Sequence, residues 1–489
     1  MSKRLACYLD SVASMMLESR IEGNPEIKGV SNNSGKILPG YIFVAIEGAK
    51  NDGHLFIPDA LSRGASVIVH SKPLAKMHDG VSYIRARNSY SVYAMLAELF
   101  FDYPSEKFKL AGVTGTNGKT TTAYILRELL RANGAECGLV STVEYSYANV
   151  CIEGVRTTPD AFELQKLFRD MASAGCDNVV MEVSSHGLDQ NRIGTARFDV
   201  GVFTNLTGDH LDYHKDMESY FKAKRRLFEE RLADDAVAAI NTDDPFGARL
   251  ARDIDPEKLF SFGTGDACDC RISIRNQSAD GTDAEFDFRG KKIAFHTNLI
   301  GLYNVRNIAG AFCAAIALGA TSESIVGALG FKFVIPGRME KILTPKGASC
   351  FIDYAHTDDA LERALAVLRK LCKRSLIVVF GCGGDRDSSK RPRMGSVAAK
   401  FADIIILTND NPRSESPDKI IDDIKKGIPA ELNCLIEPER RKAICDAVEL
   451  AGEGDVVLIA GKGHEQCQII NGRTEPFDDK NELKKACLK

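Results

Sequence analysis

Residues 110–122 read LAGVTGTNGKTTT. A short apolar run ends in a glycine turn, and Lys119 with Thr120, Thr121 and Thr122 then opens a helix. Strand, glycine turn and helix in that order hold a phosphate, because backbone N–H groups and the helix N-terminus point at the same anion. Gly115 and Gly118 let the backbone approach, Lys119 reaches the outer phosphates, and the Thr120 hydroxyl is offered to Mg²⁺. The usual pattern has a glycine five residues before the Gly of the Gly-Lys pair, and Val113 stands there instead. Nucleotide binding by an α/β core is therefore the expectation from which the rest of the chain is read.

At 489 residues the chain exceeds the size, about 250–300 residues, at which one core stops growing, and three domains are expected. A net charge of −4 provides no basic field, so no nucleic-acid partner is expected and any polyanion must be met locally. The 14 cysteines are scattered without a C-x-x-C pair, which reads as reduced thiols and a cytoplasmic location. Asp10 and Glu18 break any apolar stretch near the start, and no run approaches the ~18 apolar residues of a membrane span. Neither a signal peptide nor a membrane partner is expected, and the chain is read as a monomer.

Residues 1–106 form a first, smaller α/β unit, with strands at 40–46 and 65–70 and helices at 58–64 and 88–104, the second closed by Pro104. The polar stretch 31–34 reads as a loop. The central unit, 107–335, holds near-continuous apolar runs at 110–113, 178–183, 198–206 and 236–240, the mark of parallel strands covered on both faces. The small-residue helix 301–319, with Asn304 near its start, is expected to close it. From about Ile335 the pattern restarts in a third unit, 336–489, with strands 350–353, 376–380, 404–407 and 456–460 each followed by a polar loop and the helix 358–371 between the first two. The fold class is α/β: a doubly wound parallel sheet around the P-loop, a Rossmann-like C-terminal domain and a smaller N-terminal domain.

In doubly wound sheets ligands sit beyond the carboxyl ends of the strands. Glu182 lies at the end of one run, and an acid there should be paired or bind a cation. Asp209, His210, Asp212 and His214 follow another run, and with Thr120 they would suit Mg²⁺. Lys222, Lys224, Arg225 and Arg226 read as a solvated basic helix face. Thr157 and Thr158 precede Pro159 and Asp160, an ordinary helix start, while Ser184, His186, Gln190 and Arg192 would suit an anionic ligand. Arg386, Arg413 and Glu465, on C-terminal loops, carry the opposite charges that a zwitterion needs.

The order of motifs resembles the Mur ligases of peptidoglycan synthesis through essentially the whole chain. It runs GTNGKTT, TTPD, MEVSSHGLDQNRI, TNLTGDHLDYH, YFKAKRRLF, YNVRN, IPGRME, DYAHTDDAL, GCGGDRD, DNPR and GKGHE. The resemblance implies an ATP-dependent amide ligase that adds meso-diaminopimelate to UDP-MurNAc-L-Ala-D-Glu through an acyl phosphate. It implies ATP at Gly115, Thr116, Asn117, Gly118, Lys119, Thr120, Thr121, Asn304, Arg338 and Asp353. It implies Mg²⁺ at Thr120, Glu182, His210 and Lys224, the last carbamylated to N6-carboxylysine, with Lys119, Lys224, His210 and Glu182 as the catalytic set. The UDP-peptide falls to Ser34, Thr157, Thr158, Ser184, Gln190 and Arg192, with its uridine in the first domain. Diaminopimelate falls to Arg386, Asp410, Asn411, Pro412, Arg413, Gly461 and Glu465, where the Arg413 guanidinium takes the distal carboxylate that lysine lacks. Where the family shows Asp-Ser-Arg in the uridine loop this chain has Asn33, Ser34 and Gly35, so only Ser34 carries over. Asp358 replaces a usual Pro at a helix start. Lysine or ornithine as the amine, a folylpolyglutamate synthase, and a regulatory homologue without ligase activity are the alternatives.

Overall fold

The computed structural model describes residues 3–48 and 51–488. Its central sheet has eleven strands, with Lys109–Thr114 between Asn178–Glu182 on one side and Phe198–Phe203 on the other. Both pairings are parallel, and the register sets Glu182 opposite Val113 and Phe203 opposite Thr114. Three strand ends therefore lie level at one edge, where the glycine turn begins.

Apolar side chains cover both faces of this sheet, as continuous apolar strands require. Ile125 and Leu129 of helix Lys119–Ala132 pack with Ile308 and Phe312 of helix Leu302–Ala317 on one face. Phe168 and Met171 of helix Ala161–Ser173 pack with Phe221 and Leu227 of helix Met217–Glu230 on the other. Asp160 starts its helix as read, its carboxylate accepting from the N–H groups of Phe162 and Glu163. The helix Leu302–Ala317 does not close the unit, because helix Ser322–Leu329 follows it. The sheet is also longer than the apolar runs suggest. Cys270–Ser278, Gly281–Phe288 and Lys291–Thr297 extend it as an antiparallel meander.

The N-terminal sheet has five strands in the order Met16–Arg20, Ser82–Ala86, Val67–His70, Tyr41–Val44, Gly29–Ser31, parallel except for the first. Its helix Ser89–Phe100, capped by Asn88, docks on the central unit. Buried Glu98 accepts from the Thr195 N–H at 2.6 Å and hydroxyl at 2.8 Å, and the Tyr93 hydroxyl meets Asp160 at 3.2 Å.

The C-terminal sheet has six strands, with Ser349–Asp353, Val456–Ala460, Leu376–Phe380 and Ile404–Leu407 as its parallel core. The edge strands Glu340–Leu343 and Cys434–Ile436 are short and half exposed, without the apolar run that marks the other four. Helix Asp358–Leu371 has the expected bounds, because Thr357 caps it and the acidic pair Asp358 and Asp359 suits the positive end of the helix dipole. Asp358 in place of Pro is thus accommodated at the first helical position. Among the described residues no helix is long and apolar enough to cross a membrane.

Candidate active site

The glycine turn is held in one shape from behind. Gly115 has φ +144°, and a Cβ there would sit 1.9 Å from Thr204 Oγ1; Gly118 has φ +87°, and a Cβ would meet Asn307 Oδ1 at 2.3 Å. Only glycine satisfies both demands. The Thr204 hydroxyl and the Asn205 amide donate to the Asn117 carbonyl at 2.6 and 3.0 Å, and the N–H of Thr116 donates to Asn205 O at 2.8 Å. Lys119 folds back over the turn, its ammonium donating to the carbonyls of Gly115 and Thr116 at 3.0 and 2.9 Å. Burial lowers its pKa.

Glu182 is fully buried at the strand end. Its Oε1 accepts from the Thr120 hydroxyl at 2.9 Å and the Thr142 N–H at 2.8 Å, and its Oε2 from the Thr142 hydroxyl at 3.2 Å. All three donors are neutral, and among the described residues no cation pairs with this carboxylate. A buried carboxylate without a direct ion pair, beside a threonine hydroxyl, has the hard oxygen donors that Mg²⁺ prefers. Among the described residues no group of three His, Cys, Asp or Glu converges on a ready metal site.

Lys224 corrects the sequence expectation. Its helix buries Tyr220, Phe221, Ala223, Leu227 and Phe228, and residue 224 lies four after Tyr220 and three before Leu227 on that same face. It is 1% exposed, with its nitrogen 2.8 Å from Gly115 O and 4.6 Å from the centre of the Tyr220 ring. Desolvation first, then the charge of Lys119, lowers its pKa well below the ordinary lysine value. Lys222 is exposed as expected, while Arg225 and Arg226 are half-buried and pair with Glu229 and Glu230.

His210, half exposed, is the left-handed residue before the short helix Leu211–His214, with its ring 5.0 Å from His186. Desolvation takes its pKa down to about 4, so the imidazole is neutral at physiological pH. His214 faces the interior instead, its Nε2 on the Ser185 hydroxyl at 2.9 Å. Asp212, unlike Asp209 and His210, does not line the cleft.

That cleft, of about 690 Å³, lies between the central and C-terminal units. The turn residues Thr116 to Thr121, with Glu182, Asn304, Arg338 and Asp353, all line it. Arg338 stacks its guanidinium 4.5 Å over the Tyr354 ring and donates to the Thr120 hydroxyl at 3.2 Å. Asp353, half-buried at the cleft and raised in pKa by desolvation, accepts from the N–H groups of Met339 and Ala355 at 2.8 and 2.9 Å. Asp359, on the C-terminal helix, reaches Asn117 at 2.9 Å and Thr207 at 3.1 Å.

The residues expected to meet the UDP-peptide form a chain of hydrogen bonds beside the cleft. The Thr157 and Thr142 hydroxyls are 2.9 Å apart, which ties Thr157 to Glu182. Thr158 donates to Glu182 O and accepts from the Ser184 N–H, while Arg192 donates to Thr158 O at 2.8 Å and to the Gln190 amide oxygen at 2.7 Å. Ser184 caps the helix Ser185–Asp189. Ser34 stands apart in the N-terminal unit, in the short helix Ser34–Lys36 that Asn33 caps.

A second cluster gathers three C-terminal loops. Asn411 donates to Glu465 Oε2 at 2.8 Å, and the fully buried Lys462 reaches the same oxygen at 2.9 Å and Asn411 Oδ1 at 3.1 Å. Arg413, at φ +53°, donates to Gly384 O at 2.8 Å, joining its loop to the one that carries the exposed Arg386. Gly461 has φ +112°, and a Cβ there would lie 2.5 Å from Asp410 Oδ2; a Cβ on Gly384 would lie 2.0 Å from Pro412 O. Sequence reasoning missed Thr142, Tyr354, Asp359 and Lys462. Tyr354 and Asp359 lie inside DYAHTDDAL and Lys462 inside GKGHE, so those motifs were the signal that could have found them.

Three family models match the chain: "Mur ligase family, catalytic domain" over residues 26–101, "Mur ligase middle domain" over 113–315, and "Mur ligase, glutamate ligase domain" over 337–463. A UDP-N-acetylmuramoyl-L-alanyl-D-glutamate–2,6-diaminopimelate ligase of Gloeobacter violaceus is 41% identical, with 97% of this chain and 96% of that one covered. The same enzyme of Aquifex aeolicus is 42% identical over 94% and 93%. A solved structure bearing that ligase name matches with a TM-score of 0.66 and 32% identity, covering 94% of this chain and 95% of the other. A folylpolyglutamate synthase of Mycobacterium tuberculosis complexed with ADP shares the fold, at a TM-score of 0.63, 18% identity and coverage of 76% and 91%.

Proposed function

The chain belongs to the Mur ligase family, and from that premise we infer that it is an ATP-dependent amide ligase of peptidoglycan precursor synthesis. It joins meso-2,6-diaminopimelate to UDP-MurNAc-L-Ala-D-Glu. The observation that carries this reading is the Thr120 hydroxyl, which the P-loop supplies, Glu182 receives and Arg338 of the C-terminal unit contacts, so that both walls of one cleft meet at one atom.

The D-Glu carboxylate attacks the γ-phosphate of ATP, giving an acyl phosphate and ADP; the amine of diaminopimelate then attacks the acyl carbon and expels phosphate. The turn's N–H groups and the Lys119 ammonium hold the phosphates, and Arg338 adds a cation from the other wall. Asn304 and Asp353 flank the nucleotide. Thr120, Glu182, His210 and a carbamylated Lys224 would hold Mg²⁺, which offsets the charge that builds up on the phosphoryl oxygens. Lys224 is suited to carbamylation because CO₂ adds only to a neutral amine, the form its burial favours; the nitrogen bonds to the carbon and releases one proton, replacing a buried neutral amine with an oxygen anion. Thr157, Thr158, Ser184, Gln190 and Arg192 orient the peptide, and Ser34 faces the uridine side. Arg386, Asp410, Asn411, Pro412, Arg413, Gly461 and Glu465 take the amino acid, with Arg413 on its distal carboxylate. Units near residues 1–106, 107–335 and 336–489 thus serve uridine, ATP and amino acid in turn, and the enzyme works in the cytoplasm, where these substrates are made.

The test is ADP release with UDP-MurNAc-L-Ala-D-Glu and each of diaminopimelate, lysine and ornithine. Activity is expected with diaminopimelate and should vanish in Lys119→Ala. Turnover with lysine alone would reassign the amine, and none with any of the three would leave a regulatory homologue.

A further inference from the structure

We propose that the buried ion pair Arg440–Asp479 is a positioning device that sets the spacing of the two amine-binding loops, Asp410–Arg413 and Gly461–Glu465. The proposal rests on the reading of those loops as the diaminopimelate site.

Neither side chain is exposed: both are at 0%. Arg440 Nε donates to Asp479 Oδ1 at 2.7 Å and its Nη2 to Oδ2 at 2.8 Å, a two-pronged pairing. The same Nη2 donates to the carbonyl of Ala460 at 2.9 Å, and Nη1 lies 3.4 Å from the carbonyl of Asn409. Ala460 is the last residue before Gly461, and Asn409 the last before Asp410. One rigid guanidinium therefore grips the roots of both loops. Above it lies the layer that would face the ligand, where Lys462 and Asn411 share Glu465 Oε2. Asp410 and Glu465 both sit in the field of Arg440.

Stability alone is a poor reason for this pair. Two ions withdrawn from water are often no better than apolar side chains of the same volume. An apolar replacement, however, would leave Ala460 O without this donor and would free the two loops to shift independently. Asp479 also opens the last helix, Asp479–Ala486, whose Glu482 pairs with Arg441 at 2.8 Å. The helix Asp479–Ala486 is thus wired to the amine-binding loops through one carboxylate.

The experiment uses the full chain and two variants, Arg440→Lys, which keeps the charge but loses the fork, and Asp479→Asn, which keeps the shape but loses the charge. Saturation curves are measured for diaminopimelate, ATP and the UDP-peptide. Acyl phosphate is trapped with hydroxylamine in the absence of diaminopimelate, and thermal melts are recorded. The expected result is a KM for diaminopimelate raised about tenfold or more, as small misplacements of a bound reactant can do. The other two KM values and the rate of hydroxamate formation should stay within about twofold of wild type. An unchanged KM for diaminopimelate in a folded variant would overturn the proposal. So would loss of the folding transition in both variants, which would make the pair a folding requirement. If the wild type forms no hydroxamate, the ligase reading itself fails, and the proposal with it.

Discussion

Arg338 Nη2 lies 3.2 Å from Thr120 Oγ1 across 218 residues of sequence, and the same hydroxyl donates onward to Glu182. The Thr120 hydroxyl is therefore one point at which the C-terminal unit touches the glycine turn, as Asn117 with Asp359 is another. Thr120→Ala should lower kcat by about 10²–10³-fold, the scale on which single electrostatic contacts act in a transition state, while Thr120→Ser retains most activity. Steady-state ADP release reads both, and equal losses in the two variants would show that the hydroxyl is not what matters.

Arg413 is the residue we propose to carry the choice of amine. Its guanidinium already spans two loops through Gly384 O, so a ligand carboxylate meets a cation held in place. Removing a charged hydrogen bond costs about 1.5–3 kcal/mol, roughly ten- to a hundredfold. Arg413→Ala should raise the KM for diaminopimelate by that factor and leave the KM for ATP near wild type. A parallel rise in both would assign Arg413 to loop structure rather than recognition.

Lys224 should carry a carbamate. Protein equilibrated with ¹³C-bicarbonate is expected to show a carbamate carbon resonance that Lys224→Arg lacks, because a guanidinium does not become a neutral amine. A spectrum identical in the two proteins would remove the modification from the mechanism.

Glu98 makes stability depend on pH through the contact between the N-terminal and central units. Burial raises its pKa above the ordinary carboxylate value, although hydrogen bonds from Thr195 pull the other way. With the folded pKa above the unfolded one, the folded state takes up the proton first as pH falls. The wild type should therefore gain Tm relative to Glu98→Gln between pH 7 and pH 5. Thermal melts of both proteins at the two pH values check the sign, and a gap that widens against the wild type on acidification would contradict it.

The fold was legible where strands are buried on both faces. Runs such as Asn178–Glu182 and Leu376–Phe380 need no partner to be recognised, and the turn between Thr114 and Lys119 fixes which strand end matters. The meander from Cys270 to Thr297 escaped because its strands alternate rather than run apolar: Ala284 and Phe286 face in while Asp283 and Glu285 do not. Its signal was present in the polar turns Ala279-Asp280, followed by Gly281, and Arg289-Gly290, each a two-residue hairpin connection. In the site, Glu182 was legible as an acid closing an apolar run. Lys224 was not, because a cluster of four basic residues reads as solvent-facing until the apolar positions around it are used to phase the helix. Thr142 carries no local signal at all, since its importance comes from a carboxylate forty residues away.

The phosphate turn has its geometry fixed before any nucleotide arrives. Thr204 and Asn205 hold it from the carbonyl side, and the two glycines admit no alternative packing. The entropy of ordering this loop is thus spent in folding, once per protein lifetime, and not in each catalytic cycle. Capture of the nucleotide can then proceed as a simple second-order encounter with a finished receptor, whose other wall carries Arg338 and Asp359.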